Sequence, residues 1–262
     1  MGYQLDALRR SWLIGGGGGD TLAGGEANDI LLGDFGTVSL SANLVAESVE
    51  TGFAESAYSG TDQLEGGQGN DILIAGAAAL GESETLQDYF GDNIFLGDFG
   101  RAEGAQVLTA ATLVTSKASA EGGADLVQAG RGNDLIIGGE GADTIDAGLG
   151  GDLVLGDNGT FDITAGTVTG LALATDGDDL IEVGSDTPGR YDARIPVPAD
   201  LKDVVIGGLG SDAVTAASGG LALIGDAGVI ALNPVGLSAL RNYAPPPPSP
   251  TPEQQAANQR AL

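Results

Sequence analysis

The chain contains no cysteine and no histidine. The first absence excludes disulfides and thiolate metal sites. The second excludes His-ligated zinc, Ser-His-Asp triads and Cys-His dyads. Aromatic residues make up 5% of the chain, so its core must be thin and aliphatic. Basic residues are scarce, 10 against 37 acidic ones, and the net charge is -27. Such a field repels polyanions, so neither nucleic acid nor an anionic membrane surface is expected as a partner. No apolar run approaches bilayer-spanning length, and no membrane span is expected. Residues 1–14 hold no segment long enough for the apolar centre of a signal peptide.

What the chain has in abundance is glycine, 46 residues set in a nine-residue phrase. Its clean copies read GGxGxDxLx: Gly15 to Ala23, Gly66 to Ile74, Gly138 to Asp146 and Gly207 to Thr215. Glycine at the first, second and fourth places permits positive φ and a crowded backbone. Aspartate at the sixth place supplies a hard anionic oxygen. The eighth place is apolar throughout, from Leu22 and Leu31 to Val214 and Leu223. A turn and a short strand, repeated, give one coil of a flattened spiral, and stacked coils bury the eighth-place residues in a row. The fold class expected is therefore all-β, a calcium-bound parallel β-roll or β-solenoid with inserts between coils.

Two edges follow from the alternation of strands. One should carry Asp20, Asp62, Asp125, Asp143, Asp179 and Asp212; the other should carry Asp29, Asp71, Asp134, Asp152 and Asp203. Carboxylates on adjacent coils would sit about one strand spacing apart, ~5 Å. Their repulsion is roughly 3 kcal/mol per pair at an effective dielectric near 20. A divalent cation between them reverses that sign, and glycine carbonyls would complete an oxygen shell suited to calcium. Several calcium ions are expected as cofactors. Turn preference alone would not impose a period of nine with glycines at fixed offsets. Asn93 and Leu221 fill the Asp place in two copies and should bind weakly or not at all. Asp34, Asp98, Asp157 and Asp226 belong to a second motif, GDxG, and sit at a different register; they are expected to cap the edge or to complete an ion shell.

Three regions are expected. Residues 1–14 form an N-terminal cap. Residues 15–236 form the roll, with inserts at about 37–56, 75–87, 101–119, 160–173 and 183–197, read as hairpins or enlarged coils. Residues 237–262 form a Pro-rich tail or linker. Alternate strands are aliphatic throughout, for example around Ile30 and Leu32, Ile72 and Ile74, and Leu153 and Leu155. One sheet should thus carry two aliphatic rows outward, and something must cover them. The inserts or a second copy would serve, and self-association through this face is favoured.

The GGxGxD phrases resemble the repeat-in-toxin (RTX, hemolysin-type calcium-binding) family. The LGDNG-plus-insert pattern is similar to long repeats of large bacterial surface and adhesin proteins. The resemblance implies calcium-driven folding outside the cell and secretion by a type I system. Together these point to a non-enzymatic, extracellular or cell-surface structural or adhesive module that self-assembles into a filament, layer or matrix. Its partner is left open, with a surface glycan or matrix component as the candidate. The alternative is a roll of the C-terminal type, appended to a secreted enzyme or toxin, that serves folding, secretion or substrate binding.

Overall fold

The computed structural model describes residues 10–52, 60–78, 82–104, 110–117, 122–173, 176–185, 202–217 and 220–231. These residues form three β-sheets, two parallel and one antiparallel. The middle sheet stacks, in order, Trp12–Ile14, Ile30–Leu32, Ile72–Ile74, Ile94–Leu96, Leu135–Gly139, Leu153–Asp157, Lys202–Ile206 and Gly220–Ile224. The outer parallel sheet stacks Thr21–Gly25, Gln63–Gly67, Thr85–Gln87, Leu126–Gln128, Thr144–Gly148, Leu180–Val183 and Ala213–Ala216. Along the chain the strands alternate between these two sheets, so each step of the stack contributes one strand to each.

Register follows the nine-residue phrase. Eighth-place residues pair with one another: Leu31 with Leu73, Leu73 with Phe95, Ile136 with Val154, and Leu64 with Leu86. They point between the two parallel sheets and form one buried core, including Leu31, Leu73, Phe95, Ile136 and Val154 facing Leu64, Leu86, Val127, Ile145 and Ile181. Towards the ends of the stack the row emerges: Leu22 and Val214 are partly buried, and Leu223 is half exposed. A one-residue slip would turn the whole row outward, so burial fixes the register.

A second core lies on the other face of the middle sheet. Ile30, Leu32, Ile72, Ile74, Ile94, Leu96, Leu135, Ile137, Leu153, Leu155, Val204 and Ile206 pack there against Val49, Ala102, Val114, Phe161 and Val168. The cover is the chain's own antiparallel sheet. Its strands run in the order Val229–Ala231, Thr167–Gly170, Gly159–Asp162, Leu113–Ser116, Gly100–Glu103, Ala46–Thr51 and Gly36–Leu40. The inserts after the first three GDxG motifs are therefore hairpins folded back over the middle sheet. The chain's own inserts thus cover both aliphatic rows through most of the stack, while Trp12 and Ile14 at its first strand stay 40% and 48% exposed.

The last glycine of GDxG makes this return possible. A Cβ on Gly36, Gly100 or Gly159 would lie 2.5, 1.9 or 2.5 Å from a methyl carbon of Leu32, Leu96 or Leu155. It would also lie 2.7, 2.8 or 2.3 Å from the backbone oxygen of Glu50, Thr115 or Thr169 on the paired hairpin strand, which cannot give way.

Two further expectations change. The described part of the cap, Trp12–Ile14, is the first strand of the middle sheet, pairing with Ile30–Leu32. The supposed insert at 75–87 contains a regular step of the stack, with Thr85–Gln87 in the outer sheet and Leu86 fully buried. Residues 105–109 of the 101–119 insert, most of the 183–197 insert and the Pro-rich tail fall outside the described residues.

The cover yields a prediction. Ile137→Asp with Leu155→Asp places two carboxylates in a dry aliphatic layer, at a cost of several kcal/mol each. The double variant is expected to lose its β-rich circular dichroism even in saturating calcium. A folded variant of unchanged stability would show that the hairpins do not seal this face.

Candidate metal centres

Each turn from the middle sheet to the outer sheet ends in an acidic residue just before the outer strand; call this edge one. Asp20, Asp62, Glu84, Asp125, Asp143, Asp179 and Asp212 occupy these places in stacking order. On edge two, the return turns place Asp29, Asp71, Asn93, Asp134, Asp152 and Asp203 just before the middle strands or at their start. The structure thus brings every sequence-predicted aspartate into one of two rows.

Hydrogen bonds make each row a ladder. On edge one, Asp143 Oδ1 accepts from the Asp125 backbone N–H at 2.8 Å, and Asp179 Oδ1 accepts from that of Asp143 at 2.8 Å. Asp62, Asp125 and Asp212 hold the backbones of Asp20, Glu84 and Asp179 in the same way. On edge two, Asp29 accepts from Ser11, Asp71 from Asp29, Asn93 from Asp71, Asp134 from Asn93, Asp152 from Asp134, and Asp203 from Asp152. Asn93 therefore keeps the ladder intact, but its amide cannot supply a second anionic oxygen.

One oxygen of each carboxylate is engaged this way. The other, Oδ2 of Asp29, Asp62, Asp71, Asp125, Asp143 and Asp179, is buried with no hydrogen-bond donor. Burying an anionic oxygen without a partner is costly, and a bound cation would remove that cost. The glycines show where it would sit. A Cβ on Gly138 would lie 2.3 Å from Asp143 Oδ2 and 2.1 Å from the Gly156 carbonyl oxygen. A Cβ on Gly156 would meet Asp179 Oδ2 at 2.1 Å and the Gly207 oxygen at 2.3 Å; on Gly207, Asp212 Oδ2 at 2.4 Å and the Gly225 oxygen at 2.6 Å. On edge two, a Cβ on Gly24 would meet Asp29 Oδ2 at 2.5 Å and the Gly66 oxygen at 2.6 Å. First-place glycine thus opens a small volume that a carboxylate of its own phrase and a carbonyl of the next step both face. The donor set is hard oxygen only, which suits calcium.

Asp34, Asp98 and Asp157 keep a register apart from the sixth-place rows, but they belong to phrases of the repeat. Gly33-Asp34, Gly97-Asp98 and Gly156-Asp157 are the first two places of phrases that the hairpins interrupt. A Cβ on Gly33 would meet Asp62 Oδ2 at 2.2 Å, and one on Gly97 would meet Asp125 Oδ2 at 2.3 Å, as in the unbroken phrases. The turn closes around the insert without disturbing its carboxylate. Asp34 and Asp98 also accept from the backbone N–H of Ala77 and Glu140, at 2.8 and 2.6 Å, and Asp157 accepts from that of Leu209. These aspartates therefore fasten the third place of the next phrase.

Sequence reading missed Glu84, although Glu84-Thr85-Leu86-Gln87 matches the D-x-L-x half of the phrase with Glu for Asp. It also missed a fifth-place ladder on edge two, in which Asn28, Asn70, Asp92 and Asn133 accept from the backbones of Asn70, Asp92, Asn133 and Gly151. The Asn-Asp pairs at 28–29, 70–71 and 133–134 were its signal.

The sequence matches the family model of the RTX calcium-binding nonapeptide repeat, in four copies, over residues 11–39, 56–79 and 119–154. The chain carries RTX calcium-binding repeats. No curated protein and no solved structure matches it. The RTX match stops at residue 154, whereas the ladder of edge one continues through Asp179 to Asp212. Steps beyond that match keep the same turn geometry.

With no cation bound, burial pushes Asp29 up to about 6. Burial likewise pushes Asp62 to about 7, helped by Asp34 and Asp20, and Asp157 to about 7, helped by Asp176 and Asp212. Asp179 rises to about 8, chiefly through burial, with Asp157 and Asp212 adding repulsion. Glu84 rises furthest, to about 11, through burial and then the nearby Asp125 and Asp98. A carboxyl raised above its unfolded value binds its proton more tightly when folded. Its contribution is fully present below about pH 4 and is lost as pH rises through the folded pKa. Calcium needs the ionised form, so its affinity runs the opposite way. In chelator, β structure is expected to increase as pH falls from about 8 to 5, while the calcium concentration needed for folding rises over the same window. Circular dichroism in buffered calcium reads both. A chelated chain whose β content falls on acidification across that window would contradict the assignment.

Proposed function

We propose that this chain is a calcium-stabilised parallel β-roll that serves outside the cell as a structural or adhesive module, without catalytic activity of its own. The observation that carries this reading is the pair of buried carboxylate ladders. They place the acidic chemistry of the chain at turn edges, where it holds one step of the stack to the next. Calcium outside cells would load such a roll after export, and an RTX repeat region is consistent with that route. The absence of histidine and cysteine leaves the chain few nucleophile–base arrangements.

The broad free face for a partner is the outer parallel sheet. Thr21, Gln63, Thr144 and Glu182 stand on it, exposed to solvent. A glycan or matrix component would meet a flat, polar, acidic surface there. Further copies would add at the ends of the stack. The rival function, a roll serving an attached enzyme, shares the calcium chemistry and differs in what the free face binds. The purified, calcium-loaded chain is expected to show no turnover of protein, ester or glycan substrates. Reproducible turnover, lost with a single side-chain substitution, would overturn the proposal.

A further inference from the structure

Glu84, Asp98 and Asp125 converge more closely than any ordinary turn requires. One carboxylate oxygen from each lies within 4.8 Å of those of the other two. Glu84 and Asp125 are stacking neighbours on edge one, because Thr85 pairs with Leu126. Asp98 reaches the same point from the interrupted phrase Gly97-Asp98. The three side chains are 0%, 2% and 2% exposed.

The engaged oxygens hold the backbone. Asp98 Oδ2 accepts from the Glu140 N–H, and Asp125 Oδ1 accepts from the Glu84 N–H at 3.1 Å. Four oxygens remain buried with no donor: Oε1 and Oε2 of Glu84, Oδ1 of Asp98 and Oδ2 of Asp125. The Gly138 carbonyl oxygen lies beside Asp125 Oδ2, each 2.3 Å from the position of a Cβ on Gly97. Arg101 pairs with Glu50 and Glu103, and Lys117 with Glu50, on the antiparallel sheet.

We propose that Glu84, Asp98 and Asp125 form a distinct calcium site of higher charge and higher affinity than the turns of the repeat. The unbroken turn at Gly138 offers one donor-free carboxylate oxygen and a carbonyl from the next step. This site offers three carboxylates at once. Neither Glu84 nor Asp98 belongs to the sixth-place aspartates of the phrase: one stands in a degenerate copy, the other in a glycine's place. Calcium affinity rises with ligand charge and with rigidity, and the backbone hydrogen bonds hold two of the three groups in place. The site ties together three segments of chain across the 101–119 insert, so it would load first and fasten the middle of the stack.

The proposal rests on the reading that the chain binds calcium, and the test separates the two. Chelator-competition titration of the full chain with calcium alone is expected to resolve a class of sites roughly tenfold or more tighter than the rest. Glu84→Gln and Asp98→Asn should each abolish that class, while Asp20→Asn, at the end of the row, should leave it. Circular dichroism in saturating calcium should remain native for Glu84→Gln, because no backbone donor depends on either Glu84 oxygen; if Asp98→Asn fails to refold, Glu84→Gln decides. A wild type with a single affinity class, or a Glu84→Gln chain that keeps the tight class, overturns the site. A wild type that binds no calcium overturns the calcium reading itself.

Discussion

In excess chelator at neutral pH the chain is expected to lose its β-rich circular dichroism, and calcium should restore it where magnesium does not. The rows place Asp62, Asp125, Asp143 and Asp179 on successive or nearby steps with one donor-free oxygen each. At about one strand spacing the repulsion is roughly 3 kcal/mol per pair. Domains of this kind are stable by only about 5–15 kcal/mol, so a few unscreened pairs suffice to unfold one. The core does not offset this easily, since each step buries one eighth-place side chain per strand and depends on its neighbours. Magnesium demands octahedral geometry and retains its waters, whereas the turns offer a crowded shell of carboxylate and carbonyl oxygens. Within this scheme Asp143→Ala should raise the calcium requirement far more than Asp178→Ala. Asp143 is buried on the ladder, whereas Asp178 is exposed and accepts one backbone hydrogen bond, from Ser211. A chelated chain with an unchanged spectrum would refute metal-coupled folding.

Gly138→Ala should be nearly as damaging, by a different route. Its Cβ would fall 2.1 Å from the Gly156 oxygen and 2.3 Å from Asp143 Oδ2, in the volume where the cation belongs. Neither neighbour is free to retreat: one is backbone, and the other carboxylate is tied by its Oδ1 to Asp125. Gly225 begins the last phrase and has nothing within 4 Å of its Cβ position. Gly225→Ala is therefore expected to be silent. The two substitutions are chemically identical at the same place in the phrase, so turn propensity would affect both alike. Calcium titration followed by circular dichroism should show a large loss of apparent affinity for Gly138→Ala and none for Gly225→Ala. Equal effects would show that the glycines serve the turn and not the clamp.

Much of this arrangement was legible in the sequence because a nine-residue period fixes both register and face. The eighth-place leucines and isoleucines had to share one core, and the sixth-place aspartates had to share two edges. The double aliphatic rows around Ile137 and Leu155 correctly demanded a cover. What covers them was not legible, because hairpin strands such as Gly159–Asp162 and Thr167–Gly170 carry no signal of the sheet on which they land. Gly33-Asp34 and Gly97-Asp98 do not read as the opening of a phrase because the residues that complete it, Asp62 and Asp125, follow only after an insert. Periodicity cannot cross an insert; spatial closure of the turn can. Glu84 was missed for a simpler reason: its phrase lacks the glycines, and only the D-x-L-x half survives.

Anomalous scattering from crystals grown in calcium would locate the ions. Peaks are expected in rows along the turn edges, between Asp143 Oδ2 and the Gly156 oxygen, between Asp179 Oδ2 and the Gly207 oxygen, and at the corresponding turns of Asp62, Asp125 and Asp29. Calcium found only on exposed surface carboxylates, with both edges free of peaks, would contradict that expectation.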